Sequence, residues 1–463
     1  MRNGNIVVYL LLLALSSGCA TFDAISVRRT GADAFLADLD ECTTAVLGER
    51  GALDLDQCIA IALENNLDIK HAELEARLAT LGRRIAFANF LPEVTFDYTT
   101  MELNNAPTTA LFGSVKTSMQ DRIVRETALQ AQMPIFAPAT WFLYALHQRG
   151  EEISGVALDY TRQMIALQVT GLYFQCLATR ESGGVFEAQR DAAAALAREI
   201  EAYHSEGLVT DADIAQVRVL FMAREQALTM NGRAYERNLA ELLTAMGCAP
   251  TADIGLAASM PLELPQGALD DWILEALLNH PRLAIADRLE AIEREKVRIA
   301  VAGFLPALVG FASRSHTSNS FLAYPYVSAF GFTGLMTVFN GFANVNEYRA
   351  ARVGQEKAFL AREQESLALM LEVVKAHANL ADAQANLELA AAAADAAEIM
   401  LNEENAKMRE GLLRPSEMLD TVARHDEAQV NAVNAQYQEQ VMIAITRNVL
   451  GATYRGKEDA NNE

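Results

Sequence analysis

Apolar positions in this chain recur on two different periods, and the switch between them happens twice. From Asp54 onward, Leu55, Ile59 and Leu63 fall on one helical face, with Asp54 placed to cap the helix start. Asn65-Asn66-Leu67 interrupts that helix, and a longer helical pattern then runs to Phe90-Leu91-Pro92. Beyond this proline the period drops from about 3.6 to 2. Val94, Phe96, Tyr98 and Thr100 alternate with Thr95, Asp97 and Thr99, a strand with one apolar and one polar face. A polar loop over 103–122 follows. A returning strand then sets Ile123, Thr127, Leu129, Ala131 and Met133 against Glu126, Gln130 and Gln132. The expected strands cover about 93–102 and 123–134.

Residues 269–306 write this segment a second time. Leu55 aligns with Leu269, and without a gap Ile59/Ile273, Ala62/Ala276, Leu63/Leu277, Asn65/Asn279, Ala72/Ala286, Arg84/Arg298 and Ile85/Ile299 coincide, down to Phe304-Leu305-Pro306. The helix break now reads Asn279-His280-Pro281, and Pro281 opens a helix at its first turn because its missing N–H has no partner there anyway. Ala307, Val309 and Phe311 alternate with Leu308, Gly310 and Ala312. A loop over 316–325 leads to Tyr326, Phe330, Phe332, Met336 and Val338. These strands are expected at about 307–315 and 326–338. Each strand is close to the ~9–11 residues that a tilted strand needs to cross a bilayer.

The rest of each half is helix on a long scale. Residues 140–205 carry one expected break, at Ser182-Gly183-Gly184, and residues 343–409 contain no proline. Sixty-five helical residues would span about 100 Å, too long for a compact globule. Each long helix stops at a glycine turn, Gly207-Leu208-Val209 and Gly411-Leu412-Leu413, where glycine supplies the left-handed residue. Thr210, Asp211 or Ser416 then caps a returning helix that ends at Gly247 or Gly451. The repeating unit is about two hundred residues, far beyond the roughly 20–50 of solenoids. The domain reading is a signal segment 1–18, a tether 19–53, a first repeat 54–250, a linker 251–267, a second repeat 268–452 and a tail 453–463.

Composition narrows the setting. Arg2, the apolar run Ile6–Leu15 and the small residues after it read as an export signal, since a spanning helix needs about 20 apolar residues. Leu15-Ser16-Ser17-Gly18-Cys19 resembles the bacterial lipoprotein processing box, with Leu15 one place earlier than usual. Lipidation of Cys19 is favoured, and ordinary cleavage nearby is the alternative. Beyond the signal no stretch is apolar enough for a membrane helix. The net charge of −22 argues against nucleic acid, which is bound through Lys and Arg. It fits either solubility outside the cytoplasm or an acidic lumen that favours cations, and the sequence does not choose. Cys42, Cys58, Cys176 and Cys248 form no zinc pattern; a Cys42–Cys58 bridge and unpaired buried thiols are both open, the latter favoured.

Four strands cannot close a membrane barrel, because single-chain barrels begin at eight and open edges are not tolerated in lipid. The chain must therefore oligomerise; two copies would leave a lumen filled by side chains, three a passage. The doubled Asn-containing break, the doubled Phe-Leu-Pro before a strand, Pro134-Ile135-Phe136 and Val338-Phe339-Asn340-Gly341 before long helices, and the glycine tips together resemble the TolC-like outer-membrane efflux protein family, across nearly the whole chain. The lipoprotein OprM/NodT-like branch is the nearest in kind. This resemblance implies a mainly α fold with long helical hairpins in a trimeric α-barrel, and a twelve-stranded β-barrel built from four strands per chain. It also implies a passive exit channel for drugs, metals or secreted proteins. The implied partners are two further copies, a periplasmic adaptor, an inner-membrane RND or ABC pump and outer-membrane lipid, with no cofactor.

Two residue sets carry over from that resemblance. The tips Gly207, Leu208, Val209, Gly411, Leu412 and Leu413 correspond to the adaptor-docking turns. Glu417 and Asp420, three apart on one helical face, correspond to carboxylates at the periplasmic gate, with Asp213 as the first-half counterpart. Met408 and Leu413 stand where some members carry a Tyr and an Arg, so the polar latch of those members is not carried over. A solvated first helical turn, favoured by the helix dipole, is the plainer reading of these acids. The seven histidines make no metal-ligand spacing, and no phosphate loop, nucleophile elbow or zincin motif is present, so no catalytic residue and no metal are expected. The rival to the channel is a periplasmic helical lipoprotein acting as scaffold or adaptor without a pore.

Overall fold

The computed structural model describes residues 23–48, 51–111, 115–410, 412 and 415–451. Cys19, Gly411 and Leu413 lie outside them. Helix α1 (Ala24–Leu47) comes first, started by the Asp23 carboxylate, which accepts from the N–H groups of Ile25 and Ser26. The first repeat then reads α2 (Leu55–Asn65), α3 (Leu67–Ala88), β1 (Glu93–Glu102), β2 (Thr108–Leu111), β3 (Val115–Ser118), β4 (Ile123–Phe136), α4 (Pro138–Ser205) and α5 (Asp211–Ala245). The second reads α6 (Leu269–Asn279), α7 (Pro281–Ala302), β5 (Ala307–Thr317), β6 (Tyr326–Leu335), α8 (Ala343–Arg409) and α9 (Pro415–Val449). Helix lengths match pairwise: 11 and 11 residues, 22 and 22, 68 and 67, 35 and 35. The repeat in the sequence is thus a repeat of whole elements. No described helix is long and apolar enough to cross a membrane.

The chain falls into two compact units. One holds α1, α2, α4 from Gln168, α5, the linker to Pro261, and Leu389–Gln438. Its core centres on Tyr173, fully buried, whose hydroxyl donates to the carbonyls of Leu53 (3.1 Å) and Ala257 (2.8 Å). Leu53 bridges Leu256 in parallel, so the linker is tied back beside α2. Asp54 caps α2 and forms a reciprocal box with Gln57. Cys58, Cys176 and Cys248 are buried here, and Cys58 is a free thiol, so it is in no bridge with Cys42. Burial pushes the Cys58 and Cys176 thiols up to about 12, which leaves them protonated and inert.

The other unit holds Leu67–Leu167, Leu262–Glu388 and the end of α9 from Glu439. Its helical core joins Trp272 and Ala276 of α6 and Leu283 of α7 to Leu369, Val373 and Leu380 of α8 and Ile443 of α9. Each of the Leu, Val and Ile side chains contributes about 1.5–3 kcal/mol on burial. The same unit carries an antiparallel sheet in the order β1-β4-β5-β6. Strands β1 and β6 are its open edges. A separate hairpin, β2–β3, occupies the region expected to be a plain loop; its Thr-rich strands alternate too briefly to show a period.

Two further expectations are corrected. Helix α4 runs unbroken through Ser182-Gly183-Gly184. Gly183 serves close packing instead: a Cβ there would lie 3.1 Å from Nδ2 of Asn231, which donates to the Thr179 carbonyl of α4, whereas Gly184 faces open space. Strand β6 ends at Leu335 rather than near 338, leaving Met336 and Val338 outside the ladder. Its last pair is Ala307↔Leu335, and the next residue on the partner side is Pro306, which has no N–H to donate.

Candidate functional site

Both tips are built by the chain's own backbone. At the end of α4 the Leu208 N–H reaches back to the Tyr203 carbonyl (2.9 Å) and the Gly207 N–H to His204 (2.9 Å). This double closure demands a left-handed residue, and Gly207 supplies it at φ +75°. At the second tip the Leu412 N–H reaches back to the Lys407 carbonyl at 2.9 Å. Leu208 and Leu412 are left 67% and 73% exposed, large aliphatic groups held out on rigid turns, and Val209 is half-buried.

The carboxylates beyond the tips differ in what they do. Thr210 caps α5, and Asp213 answers it, accepting from the Thr210 N–H (2.8 Å) and hydroxyl (2.7 Å). Asp213 is thereby engaged in starting its own helix. Asp420 lies in the first turns of α9, 67% exposed, and pairs with Arg424 one turn on at 2.7 Å. Glu417 belongs to the same helix start, and its side chain lies outside the described residues.

Sequence reasoning missed a polar cluster behind these acids. Asp426 of α9 is only 6% exposed and pairs with Arg224 of α5 at 2.8 Å. Gln189 of α4 donates to the Asp426 carbonyl (3.1 Å), and His425 stands 3.5 Å from the Asp426 carboxylate. Burial pushes the Asp426 carboxyl above its ordinary range, and the charges of Arg224 and His425 recover only part of that shift. Nearby, Thr421 donates to Glu404 of α8. The signal was phase: Met418, Thr421 and Asp426 share the inward face of α9, so a carboxylate stands where an apolar residue is expected.

The sheet supplies a second surface. Register places Val94, Phe96 and Tyr98 beside Ala131, Leu129 and Thr127, and Ala312 and Gly310 beside Phe330 and Phe332. This face is apolar and open, Phe330 being 89% exposed. The opposite face carries Thr95, Asp97 and Thr99 against Gln130, Ala128 and Glu126, and then Ser313 and Ser315. Where the sheet joins its helices, Phe136 packs edge-on against Trp141, and Phe339 against Phe342. An apolar face bordered by aromatic rings, backed by a polar one, is the pattern of a strand set between lipid and water. Among the described residues no cluster of acids, histidines or cysteines is suited to a metal ion.

Comparison with known proteins follows the same outline. The family described as "Outer membrane efflux protein" matches residues 58–248 and 272–451, both repeats. The pyoverdine export outer membrane protein OpmQ of Pseudomonas putida is 25% identical over 335 residues, 70% of each chain. The outer membrane protein VceC of Vibrio cholerae superposes with a TM-score of 0.75 at 15% identity, over 87% of this chain and 97% of its own. The open-state MtrE outer membrane channel of Neisseria gonorrhoeae gives 0.71 at 17%, over 87% and 90%. At such identities the structural likeness is one of fold.

Proposed function

Because the chain belongs to the outer membrane efflux protein family, a family of channels rather than enzymes, we propose that it is the exit duct of a tripartite efflux or secretion system. In this reading three copies join their four-stranded sheets edge to edge, β6 of one to β1 of the next, into a twelve-stranded barrel across the outer membrane. The observation that carries it is the sheet: two unpaired edges, which lipid does not tolerate unless a barrel closes, and a largely apolar face, which calls for lipid rather than water. The scaffold reading without a pore leaves that face unexplained.

Within this function Gly207, Leu208 and Val209, with Gly411, Leu412 and Leu413, dock the periplasmic adaptor, and an inner-membrane pump of the RND or ABC type supplies the energy. The exposed leucines on backbone-closed turns support this: they offer a flat apolar contact at little entropic cost. Threefold symmetry gathers Glu417 and Asp420 around the axis as the periplasmic gate, with Asp213 adding charge from its cap. Lipidation at Cys19 anchors the chain to the outer membrane. Substrate choice rests with the pump. Planar-bilayer recording together with heat-modifiable migration on a gel tests the central claim. A trimer that conducts supports the duct, and a non-conducting monomer overturns it.

A further inference from the structure

The apolar face of the sheet is not apolar to its end. The strand pairs stack in rows: Phe96, Leu129, Arg314 and Ser328 form one, Tyr98, Thr127, His316 and Tyr326 the next, and Thr100 and Arg125 the one after. Beyond it lie the loops 103–122 and 318–325, whereas the helices leave the sheet at its other end. Two arginines therefore stand on the outward face at the loop end, flanking a border of Tyr98 and Tyr326, whose ring stacks at 4.4 Å on His316.

Both guanidinium groups are exposed, and among the described residues neither has a carboxylate within ion-pair distance. The nearest acids are occupied or turned away. Glu102, one row further out, faces Arg122 at 3.9 Å. Asp121 accepts from the Ser320 hydroxyl at 2.9 Å, and Asp97 and Glu126 point to the opposite face. In a chain of net charge −22, two unpaired arginines beside a lipid-type face run against the general trend. An arginine at bilayer mid-depth is strongly destabilising, but near the interface its stem lies along apolar surface while its head reaches polar groups.

We propose that Arg125 and Arg314 form a binding site for the phosphate groups of an anionic lipid headgroup in the outward-facing leaflet. The guanidinium fork matches phosphate oxygens in pairs, and the Tyr98–Tyr326 border sets the depth at which a headgroup sits. Arg314 is opposite Leu129 on the neighbouring strand, four residues along from Arg125, so the two Cα atoms are about 14 Å apart at ~3.3 Å per residue along the strand and ~4.8 Å across. That spacing suits a headgroup carrying two phosphates, one for each arginine. The site rests on the barrel reading above, because only a sheet facing lipid presents these residues to a headgroup.

The test uses the purified full-length protein in detergent, titrated with bis-phosphorylated lipid A, with the same lipid after enzymatic dephosphorylation, and with inorganic phosphate as competitor. The wild type is expected to bind the phosphorylated lipid roughly tenfold or more tightly than the dephosphorylated one, as charge-assisted contacts imply. Arg125→Gln with Arg314→Gln removes this difference while conductance persists, and Arg→Lys at both sites restores part of it. Undiminished lipid binding by the double Gln variant overturns the site, and competition by millimolar phosphate overturns its assignment to lipid. A quenching label at Phe330→Cys separates the two levels. Quenching by lipid-borne groups with unaltered binding sinks the site alone; no quenching sinks the membrane-facing sheet and the site with it.

Discussion

At the scale of single residues, the second helix break carries a proton-sensitive cap. His280 is 4% exposed, and its Nδ1 accepts from the Arg282 N–H at 3.2 Å to start α7. Burial, then the Arg282 charge, holds its pKa below the ordinary value; Glu372 and Glu365, which clasp Arg282, oppose that only in part. The unfolded chain therefore takes up the proton first. The stability that His280 supplies is complete above its unfolded pKa of about 6.5 and is lost as the pH falls from there toward the lowered folded value. His280→Asn, which copies Asn66 in the other repeat, should keep the cap and remove this acid-dependent loss. Thermal midpoints of both proteins at pH 7.5 and 5.5 decide it, and equal acid shifts would count against the cap. The buried pair behaves in the opposite sense. With its pKa raised, Asp426 favours folding below the unfolded carboxylate value, and that contribution disappears as pH rises through the folded one. Arg224→Met should thus cost roughly 3 kcal/mol at neutral pH and less in acid, with Asp426→Leu added as the rescue. A cost that does not vary with pH would show that packing, not charge, sets the effect.

At the scale of elements, the two landmarks that repeat separately along the chain turn out to be one joint. Gly247 closes α5 at φ +74° and lies against the α2–α3 break, where a Cβ would meet the Asn65 carbonyl oxygen at 2.6 Å. Gly451, at φ +79°, meets Asn279 in the same way, its Cβ 3.0 Å from the carbonyl carbon. Gly207 has a matching φ of +75° but open space around it. Alanine at Gly207 should therefore cost only the left-handed strain, about 1–2 kcal/mol, whereas alanine at Gly247 or Gly451 must also displace backbone and cost more. Thermal midpoints of the three variants test the ranking, and equal losses would remove the joint. Helices, strands and tips were legible because each rests on a period or a stop residue that a sequence displays. The joint was not, since Asn65 and Gly247 are far apart in the chain and each has a local reason to be there. Gly183 misled for the same reason: it reads as a breaker, yet Asn231 of another helix decides its use.

For the molecule as a whole, the gate depends on which carboxylates are free to act together. In the proposed trimer three copies would bring three sets of Glu417, Asp420 and Asp213 toward one axis, but these are not equivalent. Asp213 is engaged by Thr210, so its neutralisation first weakens a helix start. Asp420 pairs with Arg424, and an exposed pair of that kind is worth little in stability yet offsets part of the carboxylate's charge. In the proposed gate the larger share of the charge is assigned to Glu417, and like charges gathered at short range favour a bridging cation. Multivalent cations should block conductance in the wild-type trimer. Glu417→Ala should raise the half-blocking concentration more than Asp420→Ala does, and the double variant should raise it by roughly tenfold or more. Arg424→Gln should move it the other way, by freeing Asp420. Block that is unchanged in the double variant removes these residues from the gate, while a larger effect of Asp420→Ala than of Glu417→Ala would show that the Arg424 pair opens when the trimer assembles.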